Sequence, residues 1–224
     1  MPENDVTVIQ TDIKNHPQFM EHKTVYKVQS ISHNVTAFVG IHNTALGPAL
    51  GGIRYKFYAD ENEAITDVLR LSEAMTWKNS AAGLNHGGGK TVIIAPQDST
   101  TPSPETIEVL AQGLNIINKT QAHYFAAEDM NMGEAELNAL AKRTKWIKGA
   151  TSNDPSKVGG DPSPLTALGV FECIKIAAKH KLNTDSLKGV RISMQGLGSV
   201  GADLAIQLHE AGAILSGCDI NDAP

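Results

Sequence analysis

Residues 24–41 (TVYKVQSISHNVTAFVGI) carry β-branched, partly alternating apolar runs, which predict strands. A glycine-rich segment, GPALGG over residues 47–52, then reads as a turn region. Beyond it the period changes. Ile65, Val68, Leu69, Ser72 and Met75 recur at i, i+3, i+4, i+7 and i+10, one apolar stripe of a helix broken only by a small serine. Asp60 and Glu63 stand ahead of it as a D-x-x-E start signal, and Lys78 lies near the same stripe at the C-terminal end. A Gly-rich loop, Gly83 to Gly89, leads into Lys90 and a strand, TVIIA.

Residues 101–118 read as a second helix opened by Pro104, residues 123–127 as a short strand leading into Glu128 and Asp129, and residues 134–142 as another helix. The stretch 149–163 (GATSNDPSKVGGDPS) has the composition of a loop between domains. Pro164 then opens a long helix to about His180. A strand at 190–195, a helix at 199–211 and a strand at 213–219 close the pattern. Two domains are expected, residues 1–148 and 149–224. There is no internal repeat and no low-complexity tract.

Composition narrows the functional classes. The 224 residues are 41% hydrophobic and 19% charged, enough to bury a core. Net charge is −5 and no Lys/Arg block offers a phosphate-binding footprint, so no nucleic-acid partner is expected. No apolar run approaches the roughly 20 residues of a membrane span, and the polar start, MPENDVTVIQTD, is no signal peptide. The expectation is a soluble, cytoplasmic protein. Cys173 and Cys218 are isolated and read as reduced apolar fillers. The eight histidines lack metal-ligand spacing, so no metal is expected.

Two motifs carry chemistry. Gly196, Leu197, Gly198, Ser199, Val200 and Gly201 form a G-x-G-x-x-G between a predicted strand and helix, and the next strand ends in an acid, Asp219, 18 residues after the last glycine. This is the arrangement of a dinucleotide site. The glycines allow a tight turn, close approach of backbone to pyrophosphate and close helix packing, and the helix N-terminus presents N–H groups to phosphate. Asp219 would accept hydrogen bonds from ribose hydroxyls. An acid there repels a 2′-phosphate, and no arginine follows in INDAP, so NAD is expected rather than NADP. The competing reading is a glycine-rich turn in an ordinary α/β unit, with Asp219 as a helix cap. Only two of the six strands of such a domain can be placed before Pro224, so either the chain continues or a shortened form has lost its rear half.

The second motif is a pair of lysines, Lys78 in MTWKN and Lys90 in GGGK. Gly89-Lys90-Thr91 fits the end of a phosphate-binding loop, but residue 84 is Leu rather than Gly and a strand follows instead of a helix, which excludes that reading. A lone lysine at a helix end is ordinarily a solvated group favourable to the helix dipole. A lysine after three glycines sits where backbone comes close to something.

GPALGG-x-R, MTWKNSAAGLNHGGGKTVI, AAEDM, DPSPLTALGV, QGLGSVG and CDIN, in this order over roughly residues 25–222, resemble the glutamate/leucine/phenylalanine/valine dehydrogenase family, and within it the leucine-type members. The resemblance implies an α/β fold: an N-terminal substrate-binding and oligomerisation domain followed by an incomplete Rossmann NAD-binding domain. It implies that Lys78 grips the substrate α-carboxylate, that Lys90 is a catalytic lysine of lowered pKa, and that Asp129 shuttles protons to and from the amino group. It also implies that Thr166 contacts the cofactor and that a homo-oligomer forms through the front domain. Relatives usually carry an apolar residue where His86 stands, which leaves two readings, a side chain at the pocket edge or a tolerated surface change, with the second preferred.

The implied reaction is NAD-dependent oxidative deamination of an amino acid to its 2-oxo acid and ammonia, and the reverse. A buried lysine beside another cation can lose its proton near neutrality and act as a base. A neighbouring carboxylate can carry the amino-group proton. Glutamate-specific members resemble GPAKGG, where a lysine pairs with the substrate's second carboxylate. Here that position is Leu50, beside Gly51, and Ala127 forms a second small apolar wall. Burying an unpaired carboxylate would cost several kcal/mol, so a branched-chain L-amino acid, L-leucine first, is expected. Phenylalanine or valine specificity and a truncated, non-catalytic assembly module are the alternatives.

Overall fold

The computed structural model describes residues 5–120, 123–151 and 159–220. The chain divides into two compact units, Met1–Gly160 and Asp161–Pro224.

In the first unit a six-stranded mixed sheet has the order β1-β2-β3-β5-β4-β6. Its strands are β1 (Val6–Thr11), β2 (Thr24–Ser30), β3 (Val35–Asn43), β4 (Ala49–Lys56), β5 (Gly87–Ile94) and β6 (Tyr124–Ala127). The first three and β5 pair antiparallel in succession, whereas β4 runs parallel to both β5 and β6. Helices cover both faces, which explains why β3 and β5 are buried along almost their whole length. On one face, α1 (Glu61–Ala81) packs its Ala64, Val68 and Leu69 against Val25, Phe38 and Val92. On the other, α2 (Pro104–Lys119) and α3 (Glu134–Ala141) close over Val28, Ala37, Val39, Ile41, Ile53 and Ile93.

Helix starts follow the sequence signals. Asp60 caps α1 by accepting the Glu63 amide at 2.8 Å, while the Glu63 carboxylate accepts the Ala59 amide at 2.8 Å. Ser103 caps α2 ahead of Pro104. In α1, Ile65 and Met75 are half-buried, and Asn79 completes the buried stripe.

Two glycine-rich segments expected as turn and loop are strand. GPALGG enters β4 at Ala49, and the loop after α1 ends at Gly87, where β5 begins. The cause is tertiary. At Gly88 a Cβ would lie 2.4 Å from the Ser72 carbonyl oxygen and 2.3 Å from the Thr76 amide nitrogen, so a bare backbone is required where α1 crosses the sheet. Packing outweighs the low strand preference of glycine.

The second unit holds α4 (Ser163–Leu182), α5 (Ser199–Glu210) and two parallel strands, β7 (Arg191–Gln195) and β8 (Ile214–Cys218). Its core comprises Ala167, Ala178, Leu187, Leu204, Leu208 and Ala213. Cys173 and Cys218 are free thiols, and both are exposed, not the apolar filling expected of them. Of the expected interdomain loop, residues 152–158 lie outside the described residues. Among the described residues, no helix is long and apolar enough to cross a membrane, and no cluster of potential metal ligands occurs.

Candidate active site

Lys90 lies in the middle of β5, opposite Gly40 of β3, on the face that α1 covers. Only 5% of its surface is exposed. A buried ammonium requires a partner, and Asp129, two residues beyond the end of β6, supplies it: Lys90 Nζ stands 2.7 Å from Asp129 Oδ2. The parallel β4 brings a third charged group. Arg54 donates from Nε to the same Asp129 oxygen at 3.1 Å and from Nη1 to Asp67 Oδ2 of α1 at 3.1 Å. Tyr58 Oη donates to that Asp67 oxygen at 2.7 Å. Four segments distant in sequence thus converge on one ion-pair chain.

Gly52 makes the convergence possible. A Cβ there would come within 2.7 Å of the Asp129 Cβ and of the Glu128 carbonyl oxygen, and 3.0 Å of Lys90 Nζ. Beneath the site, Thr91 donates to the fully buried Tyr124 hydroxyl at 3.0 Å, and that hydroxyl donates to the Gly51 carbonyl at 3.1 Å.

The electrostatics follow from burial and from this chain of charges. Burial pushes the Lys90 pKa down and Arg54 pushes it further, against the opposing pull of Asp129. Burial also raises the Asp129 carboxyl, but the charge and hydrogen bond of Lys90, with Arg54 behind them, hold it below the usual aspartate range. Burial and its bond to Asp67 keep the Tyr58 phenol protonated far above the usual tyrosine range.

A sequence profile described as Glu/Leu/Phe/Val dehydrogenase, dimerisation domain, matches residues 16–146, a segment containing all of these residues. The chain belongs to this family. The leucine dehydrogenase of Geobacillus stearothermophilus is 40% identical over 203 residues, covering 90% of this chain and 53% of that protein. The valine dehydrogenase of Streptomyces virginiae is 38% identical over 206 residues, covering 90% and 54%. The crystal structure of the L-tryptophan dehydrogenase from Nostoc punctiforme superimposes with a TM-score of 0.63 at 30% identity, covering 91% of this chain and 55% of that one. The chain therefore spans about half the length of the relatives it matches.

The remaining family positions are distributed unevenly. Lys78, in the last turn of α1, is exposed and forms no ion pair among the described residues. Its neighbour Asn79 is buried and donates to the Gly87 carbonyl at 2.7 Å and the Leu50 carbonyl at 3.2 Å, joining the end of α1 to β4 and β5. Leu50 and Ala127 are half-buried on adjacent strands, and Gly51 is buried. His86, read as a surface change in preference to a pocket-edge side chain, is half-buried: it bonds the Pro48 carbonyl through Nδ1 at 2.9 Å and meets the Phe125 ring edge-on. Arg54, Asp67 and Tyr58 carried no assignment from the sequence. The signal available was an arginine in GPALGG-x-R, inside a strand whose other charged residue, Lys56, lies at its exposed end.

In the second unit the glycine motif joins β7 to α5. Gly196 has φ +90, and a Cβ on Gly201 would sit 2.3 Å from the Gly196 carbonyl oxygen. Around Gly198, the residue before α5, a Cβ would meet nothing within 4 Å, and no side chain caps the helix. Asp219 Oδ2 accepts the Leu197 amide at 2.6 Å, binding the end of β8 to the loop. Ser199 and Val200 form the first turn of α5. Thr166, in the first turn of α4, is exposed and donates to the Pro162 carbonyl at 2.9 Å.

Proposed function

We propose that this chain is the front part of an NAD-dependent amino-acid dehydrogenase that oxidatively deaminates a branched-chain L-amino acid, L-leucine first, and runs the reverse reductive amination. The observation that carries the reading is the buried Lys90–Asp129 pair at 2.7 Å. A lysine whose ammonium is disfavoured by burial, in contact with an ionised carboxylate, is equipped for proton transfer near neutral pH. Lys90 takes a proton from the water that adds to the substrate iminium carbon, and as ammonium it polarises the carbonyl of the 2-oxo acid. Asp129 moves the proton of the amino group. Lys78 supplies a cation for the substrate α-carboxylate, and its exposure leaves that charge unspent within the chain.

The residues of the second unit fit a dinucleotide. The open space at Gly198 admits a pyrophosphate against bare backbone, the uncapped start of α5 offers donors to it, and Asp219 stands at the end of β8 for a ribose. NAD held there would supply the hydride acceptor for the substrate Cα. Thr166 is assigned to the cofactor by its family position.

Leu50 and Ala127 favour an apolar substrate side chain, and unpaired burial of a second carboxylate disfavours glutamate. One methylene in such a pocket is worth about 1–3 kcal/mol, so overlapping turnover of leucine, isoleucine and valine is expected. We also propose a homo-oligomer built through the first unit, in line with the dimerisation domain its residues match.

The test is formation of NADH from a panel of L-amino acids by the full-length protein, with Lys90→Ala beside it. Turnover of L-leucine that falls by about 10²–10⁴-fold in the variant, at unchanged circular dichroism, supports the reading. Retained turnover in Lys90→Ala removes the role given to Lys90. Preference for an aromatic or acidic substrate overturns the specificity.

A further inference from the structure

Within the proton-transfer role proposed for Lys90, one question of charge remains. If Lys90 releases its proton while Asp129 is ionised, a half-buried carboxylate would be left without its nearest cation, and that cost would keep the proton on Lys90. Arg54 removes the difficulty. Its guanidinium contacts the same Asp129 oxygen at 3.1 Å and stays protonated throughout the accessible pH range. We propose that Arg54, anchored by Asp67 and Tyr58, is a positioning residue that keeps Asp129 ionised and paired while Lys90 alternates between its charged and neutral forms.

The anchoring makes this a built arrangement. Arg54 uses Nε for Asp129 and Nη1 for Asp67, so its plane is fixed from both ends. Tyr58, only 2% exposed, ties the Asp67 oxygen from the other side at 2.7 Å. A lysine in place of Arg54 would carry the charge but could not reproduce the fork.

The charged and titratable groups around Lys90 come from every element packed on it. Asp129 follows β6, with Glu128 next to it in the chain. Arg54 lies on β4, Asp67 on α1, Tyr58 after β4 and Tyr124 on β6, and Lys56 Nζ stands 5.2 Å from the centre of the Tyr58 ring. Arg54 disfavours the Lys90 ammonium, whereas Asp129 and Asp67 favour it. The two ends of the anchor therefore act on Lys90 with opposite sign.

That opposition is the test. The midpoint of Lys90 ionisation is read, without turnover, as the pH dependence of its trace acetylation by acetic anhydride, with the Lys90 peptide quantified by mass spectrometry in the full-length protein. Arg54→Gln is expected to raise the midpoint by on the order of one pH unit. Asp67→Asn is expected to lower it, and Tyr58→Phe, which leaves every charge in place, to move it least. Arg54→Lys should return it part of the way. Shifts of the same sign in Arg54→Gln and Asp67→Asn, or none in either, overturn the proposal, because loss of packing alone carries no sign. If Arg54→Gln fails to fold, a midpoint in Asp67→Asn that does not fall overturns it. Opposite shifts in a protein that oxidises no amino acid would leave this charge arrangement standing and remove the dehydrogenase reading instead.

Discussion

The two units treat their polar groups in opposite ways. In the first, the groups of the candidate site satisfy one another. Lys90, Asp129, Arg54, Asp67 and Tyr58 form one continuous chain, Gly52 is kept small because its neighbours already fill the space, and Asp60 closes the start of α1. In the second, Asp219 accepts the Leu197 amide, but the start of the helix stands open. Nothing crowds Gly198, and α5 starts without a side-chain cap. The difference is what the two proposed roles, proton transfer in the first unit and dinucleotide binding in the second, would require. A proton-transfer site must be assembled beforehand, because its charges are tolerated only as a set. A phosphate site must leave its donors for the ligand.

The largest effect is expected from closing the open helix start of the second unit as Asp60 closes that of α1. Gly198 has φ −65 and ψ −168, an extended conformation available to any residue. Gly198→Asp therefore fits the backbone and can accept an amide of the first turn, as Asp60 does for α1. Its charge would then occupy the position proposed for the pyrophosphate. Affinity for NADH, followed by fluorescence titration, is expected to fall on the order of 100-fold or more, while the melting temperature holds or rises. A fall in melting temperature would mean that Gly198 is kept for folding and not for a ligand.

The reverse experiment belongs to Gly52. Gly52→Ala places a methyl 2.7 Å from both the Asp129 Cβ and the Glu128 backbone, where something must move. The expected cost is about 1–3 kcal/mol of stability, measured by urea denaturation. With it should come a loss of turnover like that of a displaced Asp129. The same substitution at Gly198 should leave stability almost unchanged. Equal costs at the two glycines would erase the distinction between a crowded and an open site.

The same contrast explains what could be read from sequence. The second unit's motif is local: Gly196 to Gly201 and Asp219 are defined by spacing along the chain, and the strands and helix around them fall where the periodicity places them. The first unit's site is assembled from distant segments. Lys90 and Asp129 were visible as unusual residues in glycine-rich and acidic settings, but their contact depends on the parallel pairing of β4 with both β5 and β6, which no local pattern encodes. Arg54 and Asp67 are not legible in the sequence for the same reason, since each looks like an ordinary charge on a strand or helix until the sheet forms. GPALGG and GGGK misled for a related cause. Their glycines signal turns locally, yet here they serve the close passage of α1 and of the ion-pair residues over strands. The bond of His86 to the Pro48 carbonyl joins residues 38 positions apart, so it too depends on the fold and not on a local pattern.

The smallest effect is expected at the start of α1. α1 carries Asp67 in its second turn and Asn79 near its end, so it connects the anchor of Arg54 to the strands that bear Leu50 and Gly87. Asp60→Ala removes one capping bond and one acidic charge from the positive end of that helix dipole. The expected loss is about 1 kcal/mol, seen in the urea midpoint. Because Asp60 touches none of the site residues, the pH dependence of Lys90 acetylation should not move. A shifted midpoint in Asp60→Ala would mean that fraying of α1 reaches Asp67, seven residues after Asp60, and that the ion-pair chain depends on the cap. An unchanged midpoint would show that the buried face of α1, through Val68, Leu69 and Ser72, holds Asp67 in place without help from the helix end.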